Sequence, residues 1–80
     1  MNKNDIKRRL ESSNIRLHQD LQEEASSMQN WLDLIKDGIM PYSVDVFEKH
    51  TFTMALLMKR IDTQRLVINM IDLNSDRQFI

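Results

Sequence analysis

The side chains that could perform acid–base or metal chemistry are few and far apart in this chain. It has two histidines, His18 and His50, and no cysteine. On an antiparallel hairpin of two helices, these histidines would lie about 20 Å apart, because each helical residue advances about 1.5 Å. A metal ion holds histidine nitrogens at about 2 Å, so the two side chains cannot share one ion. His50 is interpreted as a packing histidine, with a pH-dependent interface as the alternative.

The carboxylates lie three or four residues apart, a spacing that is typical of exposed helix faces. The closest sets are Asp20 with Glu23 and Glu24, and Asp33 with Asp37. The Glu-x-x-His spacing of carboxylate-bridged metal sites is not present. A single glycine in the chain excludes a glycine-rich phosphate loop. No histidine is placed to activate a serine. The sequence therefore predicts no catalytic, metal-binding or cofactor-binding residue, and we expect a protein that is not an enzyme.

Length and composition predict one small all-α domain. Eighty residues are enough for one core. One glycine and one proline leave few corners, which favours a few long helices over an all-β fold. β-branched residues within 42–53 allow a short strand, although a lone strand would have no partner. No apolar run approaches the roughly 18 residues of a membrane span, and no secretory signal is visible, so we expect a cytoplasmic protein of a bacterium or phage.

Apolar residues repeat every seven residues in both halves of the chain. The first half carries one seam, in which Asn14 and Glu24 are polar members: Leu10, Leu17, Leu21, Met28, Trp31 and Ile35. The second half alternates steps of three and four without a slip: Phe47, His50, Met54, Leu57, Ile61, Gln64, Ile68 and Ile71. These patterns predict helices over about 5–37 and 44–73, with a cap at Asn4, a connection over 38–43 and a short tail over 75–80.

Two helices of about 30 residues with a short connection are expected to fold as an antiparallel hairpin. Folding about the connection places residue n near residue 81 − n. Trp31 would then lie level with His50, and Leu17 with Gln64. The alternative is a three-helix monomer, because the poor helix formers at Ser12–Asn14 could break the first helix.

A second apolar stripe on the second helix predicts self-association. It comprises Phe52, Leu56, Leu66, Val67, Met70 and Leu73. A two-helix hairpin encloses little interior, so a monomer would leave this stripe in water. We expect a homodimer that forms a four-helix bundle, with burial against a different protein as the alternative. Self-association is assigned to Phe47, Met54, Leu57, Ile61, Ile68 and Ile71. The surface for a partner or second chain is assigned to Phe52, Leu56, Val67 and Met70.

Charge is sorted along the hairpin although the net charge is only −1. Residues 18–50, the turn half, hold seven acids and two bases, whereas the remainder holds nine bases and five acids. The basic end includes a candidate patch: Lys3, Lys7, Arg8, Arg9 and Arg16. Such a patch predicts contact with nucleic acid or an acidic protein. The alternative is a solvated helix face with complementary charges between two copies.

These patterns together predict a small helical interaction protein that acts as an inhibitor, chaperone or regulatory subunit. It would self-associate and bind a protein partner. The alternative is a nucleic-acid-binding regulator that uses the basic end, and its binding would fall steeply with salt. A membrane adaptor is disfavoured, because few apolar residues accompany the N-terminal bases.

Overall fold

Two long helices form the part of the chain that the structure describes. This computed structural model describes the backbone of residues 2–77 and the side chains of residues 2–73. Helix α1 spans Lys3–Lys36 and helix α2 spans Val44–Arg77. They pack against each other as a hairpin, 63 Å long and 18 × 17 Å across. The all-α prediction is confirmed, and residues 44–53 are helical rather than extended.

Helix α1 is continuous through Ser12–Asn14, so the three-helix alternative is wrong. These weak helix formers are tolerated because Asn14 gains hydrogen bonds to the other helix, described below. The helix also begins earlier than predicted. Asn2, not Asn4, is the cap, and its Oδ1 accepts from the Asp5 amide at 2.9 Å. Asp5 then lies in the first turn, where its negative charge complements the helix dipole.

The chain reverses at Gly38, as the sequence predicts. Its φ of +75° lies in the left-handed region, which glycine adopts without a Cβ clash. The amides of Gly38 and Ile39 bond back to carbonyls in the last turn of α1, which satisfies groups that a helix end leaves free. At the start of α2, Ser43 Oγ accepts from the Val46 amide at 3.4 Å. The connection is therefore capped at both ends.

Helix α2 runs farther than the predicted end at residue 73. It continues through Asn74 and Ser75 to Arg77. Neither residue stops a helix by itself, and no glycine or proline follows Pro41 in the sequence to enforce an end. The rest of the predicted tail, residues 78–80, lies outside the described residues. Within residues 2–77, neither helix is apolar enough along its length to cross a membrane.

The packed seam coincides with the predicted heptad positions. The buried hydrophobic side chains of the described residues are Trp31, at 8% exposure, and Ile61, at 3%. Apart from the exposed Phe47, the other apolar heptad positions are half-buried: Leu10, Leu17, Leu21, Met28 and Ile35 in α1, and Met54, Leu57, Ile68 and Ile71 in α2. One stripe against one stripe covers each side chain from one direction only, so few reach full burial.

Polar members of the two seams pair with each other. Asn14 Nδ2 donates to the Ile61 carbonyl at 3.0 Å and to Gln64 Oε1 at 3.3 Å. Nearer the turn, His50 Nδ1 and Glu24 Oε1 form a hydrogen bond of 2.7 Å. A polar pair that is satisfied in only one alignment fixes the register of two helices. These two pairs therefore select the observed alignment over one that slips by a heptad.

The register differs from the prediction by about one helical turn over most of the hairpin. Trp31 meets His50 as predicted, with ring centroids 5.9 Å apart. Gln64, however, bonds to Asn14, although it was expected level with Leu17. The cause is the asymmetry of the connection. The chain reverses at Gly38, two to three residues before the midpoint of the connection that the count assumed, so each residue of α2 lies level with an earlier residue of α1.

Candidate interaction surfaces

The outer face of α2 carries an apolar stripe that nothing in the described chain covers. We define this outer stripe by its residues: Phe52, Leu56, Leu66, Val67, Met70 and Leu73. Their exposure ranges from 38% for Val67 to 71% for Phe52. Phe52 and Met70 each lie nine residues from the buried Ile61, which is about two and a half turns, so they lie on the opposite face. Helix α2 is therefore apolar on two opposite sides.

The residues predicted for self-association mostly line the seam within the hairpin. Ile61 is buried, and Met54, Leu57, Ile68 and Ile71 are half-buried. Only Phe47, at the turn end, is as much as 37% exposed. Because these half-buried side chains are covered by α1 from one direction only, the open side of the seam stays accessible to a second copy. The outer stripe is the more exposed of the two apolar faces, and it contains the residues predicted for a partner or second chain: Phe52, Leu56, Val67 and Met70.

A second exposed apolar surface lies at the turn end and was not predicted as a site. We call it the tip knob, formed by Leu32, Ile39, Met40, Tyr42 and Val44, which are 37–68% exposed. The Tyr42 ring packs 5.8 Å from that of Trp31 and 6.3 Å from that of Phe47. This packing holds the knob against the rigid end of the seam. The sequence signal was the apolar character of a connection, since connections are usually polar.

Acidic side chains outnumber basic ones on the turns that adjoin the tip knob. Four acids are exposed there, beside the exposed Lys36 and Lys49: Asp33, Asp37, Asp45 and Glu48. An apolar centre with a charged rim is the usual anatomy of a protein-binding surface. Its sign favours a partner whose apolar pocket has a basic rim.

The predicted basic patch is partly neutralised within the hairpin. Lys7 Nζ lies 2.6 Å from Asp72 Oδ1 on α2 and 3.8 Å from Glu11 Oε1 on its own helix. The hydrogen bond that Lys7 donates to the Asp72 carboxylate raises the pKa of Lys7 above its ordinary value, and Glu11 adds to the effect. Lys7 therefore forms an ion pair that links α1 to α2. The other members of the patch are exposed along α1: Lys3, Arg8, Arg9 and Arg16.

The side chains that could perform chemistry do not converge among the described residues. No three histidine, aspartate or glutamate side chains of residues 2–73 lie close enough together to hold a metal ion. His18 is exposed, whereas His50 is half-buried and bonded to Glu24, beside Trp31. The predicted packing role of His50 is thus joined by a polar role in the seam.

No known protein-family model, curated protein or solved structure matches this chain. An assignment of function must therefore rest on the chemistry of the surfaces themselves. The two exposed apolar surfaces, the outer stripe and the tip knob, are the candidate binding surfaces.

Proposed function

We propose that this chain is a non-enzymatic helical interaction protein that self-associates through the outer stripe and binds a protein partner through the tip knob. The observation that supports this most is the balance of covered and uncovered apolar side chains. In the described chain, Trp31 and Ile61 are buried, whereas fifteen large hydrophobic side chains are exposed. Contiguous exposed apolar patches larger than a few hundred Å² are rare on monomers and mark interaction sites.

The shapes of the two surfaces suit different occupants. The outer stripe is linear and follows one face of one helix, which is the shape that packs against another helix. The tip knob is compact, carries a tyrosine and adjoins turns on which acids outnumber bases. Tyrosine is enriched among the residues that dominate binding energy at protein interfaces. The outer stripe is therefore assigned to self-association and the tip knob to a different protein.

Light scattering over a concentration series tests self-association, with circular dichroism measured on the same samples. We expect a helical species with twice the 9.6 kDa mass of the chain. A helical species that keeps the mass of one chain at every concentration would contradict the first half of the proposal.

Affinity capture tests the tip knob with matched baits. The tip variant carries Ile39→Ser and Tyr42→Ser, and the control variant carries Ile15→Ser on the outer face of α1, where Ile15 is 62% exposed. A partner of the proposed kind is retained by the wild type and by the control, is lost with the tip variant, and elutes as salt screens the acidic rim. Equal capture by all three baits would contradict the assignment.

The basic end provides the alternative function, a nucleic-acid-binding regulator. Fluorescence anisotropy with labelled duplex DNA at low salt separates the two proposals. Binding that falls steeply with salt and is lost in the Arg8→Ala, Arg9→Ala variant would replace the protein partner with nucleic acid. We expect no such binding, because Lys7 is already paired with Asp72.

A further inference from the structure

We infer that the outer stripe pairs with the outer stripe of a second copy in the antiparallel direction, around a two-fold axis level with Ile61. This inference rests on the proposed self-association and specifies its geometry. Because the outer stripe faces away from α1, the helices would follow one another in the order α1, α2, second-copy α2 and second-copy α1. The two copies of α2 would occupy the centre of the assembly.

The apolar residues of the outer stripe are spaced symmetrically about Ile61. Phe52 and Met70 lie nine residues before and after it, and Leu56 and Leu66 lie five residues before and after it. When α2 is laid antiparallel on its copy about this level, Phe52 faces Met70 and Leu56 faces Leu66. Each of these contacts then occurs twice, as a two-fold interface between identical chains requires.

The polar centre of the stripe favours the same direction. Lys59 and Thr63 lie two residues before and after Ile61, between the two apolar ends of the stripe. In the antiparallel pair, Lys59 faces Thr63 of the second copy and comes near Asp62 of that copy. A parallel pair in register would instead place Lys59 against Lys59. Polar residues at a helix interface select the alignment in which they are compatible, and like charges exclude the other.

The sorting of charge along the hairpin favours the same direction at longer range. Residues 18–50, at the turn end, carry a net charge of −5 from seven acids and two bases, and the remainder carries +4 from nine bases and five acids. Five of those nine bases and four of those seven acids lie on α1, which this order of helices places outermost, so salt screens much of their interaction with the second copy. A parallel dimer would bring two acidic ends to the same end of the assembly, whereas an antiparallel dimer separates them.

The available area and the contrast with α1 identify the occupant as a second copy. Six large apolar side chains that are 38–71% exposed form one linear stripe, and a two-fold pairing of the stripe with itself uses each of them twice in one interface. The outer face of α1 cannot compete as the surface for a second copy, because it is polar and exposed: Gln19, Gln22, Glu23, Ser26 and Asn30.

Cysteine cross-linking tests the direction, since the chain has no native cysteine. The variants Phe52→Cys and Met70→Cys are treated with a short bismaleimide, each alone and as an equimolar mixture. We expect a cross-linked dimer from the mixture and none from either variant alone. In the antiparallel pair the two Phe52 positions are about 27 Å apart along the axis, because eighteen residues at 1.5 Å separate them. Ile15→Cys on α1 is the control that should not cross-link with any variant.

The outcomes separate the inference from the proposed function. Cross-linking of Phe52→Cys with itself would show a parallel pair and overturn the inference. A dimer by light scattering that gives no cross-link in the mixture would also overturn it, while self-association would stand. A helical monomer by light scattering would overturn both. The replaced side chains are exposed, and circular dichroism of each variant confirms that the hairpin is retained.

Discussion

The polar layer at Asn14 is the feature of the seam whose contribution can be worked out most directly. Replacing Asn14 with alanine removes its bonds of 3.0 Å to the Ile61 carbonyl and 3.3 Å to Gln64 Oε1. Each such bond contributes about 0.5–1.5 kcal/mol net, and the half-burial of Asn14 places the pair near about 1–2 kcal/mol. The higher helix propensity of alanine returns roughly 0.5 kcal/mol. We therefore expect Asn14→Ala to lower the free energy of unfolding by about 0.5–1.5 kcal/mol.

A matched control separates the cross-helix bonds from helix propensity. Asn30 lies on the same helix but is exposed, so Asn30→Ala carries the propensity gain alone. Urea unfolding followed by circular dichroism, at one fixed protein concentration, gives the difference. A double-mutant cycle with Gln64→Ala should show a coupling of about 0.5–1 kcal/mol. If Asn14→Ala is as stable as Asn30→Ala, or the coupling is zero, the polar layer does not hold the helices together and our reasoning on register is wrong.

Three further predictions test the seam and the turn. Ile61→Ala should lower the free energy of unfolding by about 2–3 kcal/mol, the low end for a core residue, because only one helix covers it. Ile15→Ala, at an exposed position, should lower it by less than about 0.5 kcal/mol. Similar urea midpoints for the two variants would contradict the packing described here. Gly38→Ala should lower the free energy of unfolding by about 1–2 kcal/mol, the cost of a left-handed backbone at alanine. No steric cost is added, because no atom lies within 4 Å of an added Cβ. An unchanged urea midpoint would contradict this prediction. Neutral His50 should carry its proton on Nδ1, because the Glu24 carboxylate can only accept a hydrogen bond. ¹⁵N NMR should show this tautomer in the wild type and a weaker preference for it in Glu24→Gln. A dominant Nε2–H tautomer in the wild type would refute the prediction.

The helices and the seam could be predicted because their causes are local in sequence. Burial of one face requires apolar residues at steps of three and four, and both halves of the chain keep that rhythm from Leu10 to Ile35 and from Met54 to Ile71. The turn at Gly38 could also be predicted, since glycine commonly ends a helix by adopting the left-handed conformation. Each of these features is decided by a few neighbouring residues.

The register and the tip knob could not be predicted because they depend on the path of the connection. Counting residues assumes that the chain reverses midway between the helices, whereas it reverses earlier, at Gly38. That difference moves Gln64 from Leu17 to Asn14. It also stacks Tyr42 on Trp31, so that a connection with no periodic pattern becomes a compact apolar surface. The choice of Asn2 over Asn4 as the cap is a similar case, because both residues are asparagines and residue type cannot distinguish them.

The two apolar faces of α2 differ in the polar groups that a partner helix would meet, and this difference separates their roles. The seam face offers His50 to Glu24 at 2.7 Å. At the same level the outer face of α2 carries Phe52 and Leu56 beside the exposed Lys49, so the glutamate of an α1 helix packed there would meet a solvated cation. The bond between His50 and Glu24 is better shielded from water than such a surface ion pair, which contributes little to stability. Helix α1 is therefore directed to the seam of its own chain, and the outer stripe is left to an occupant without that polar requirement, such as the same stripe of a second copy.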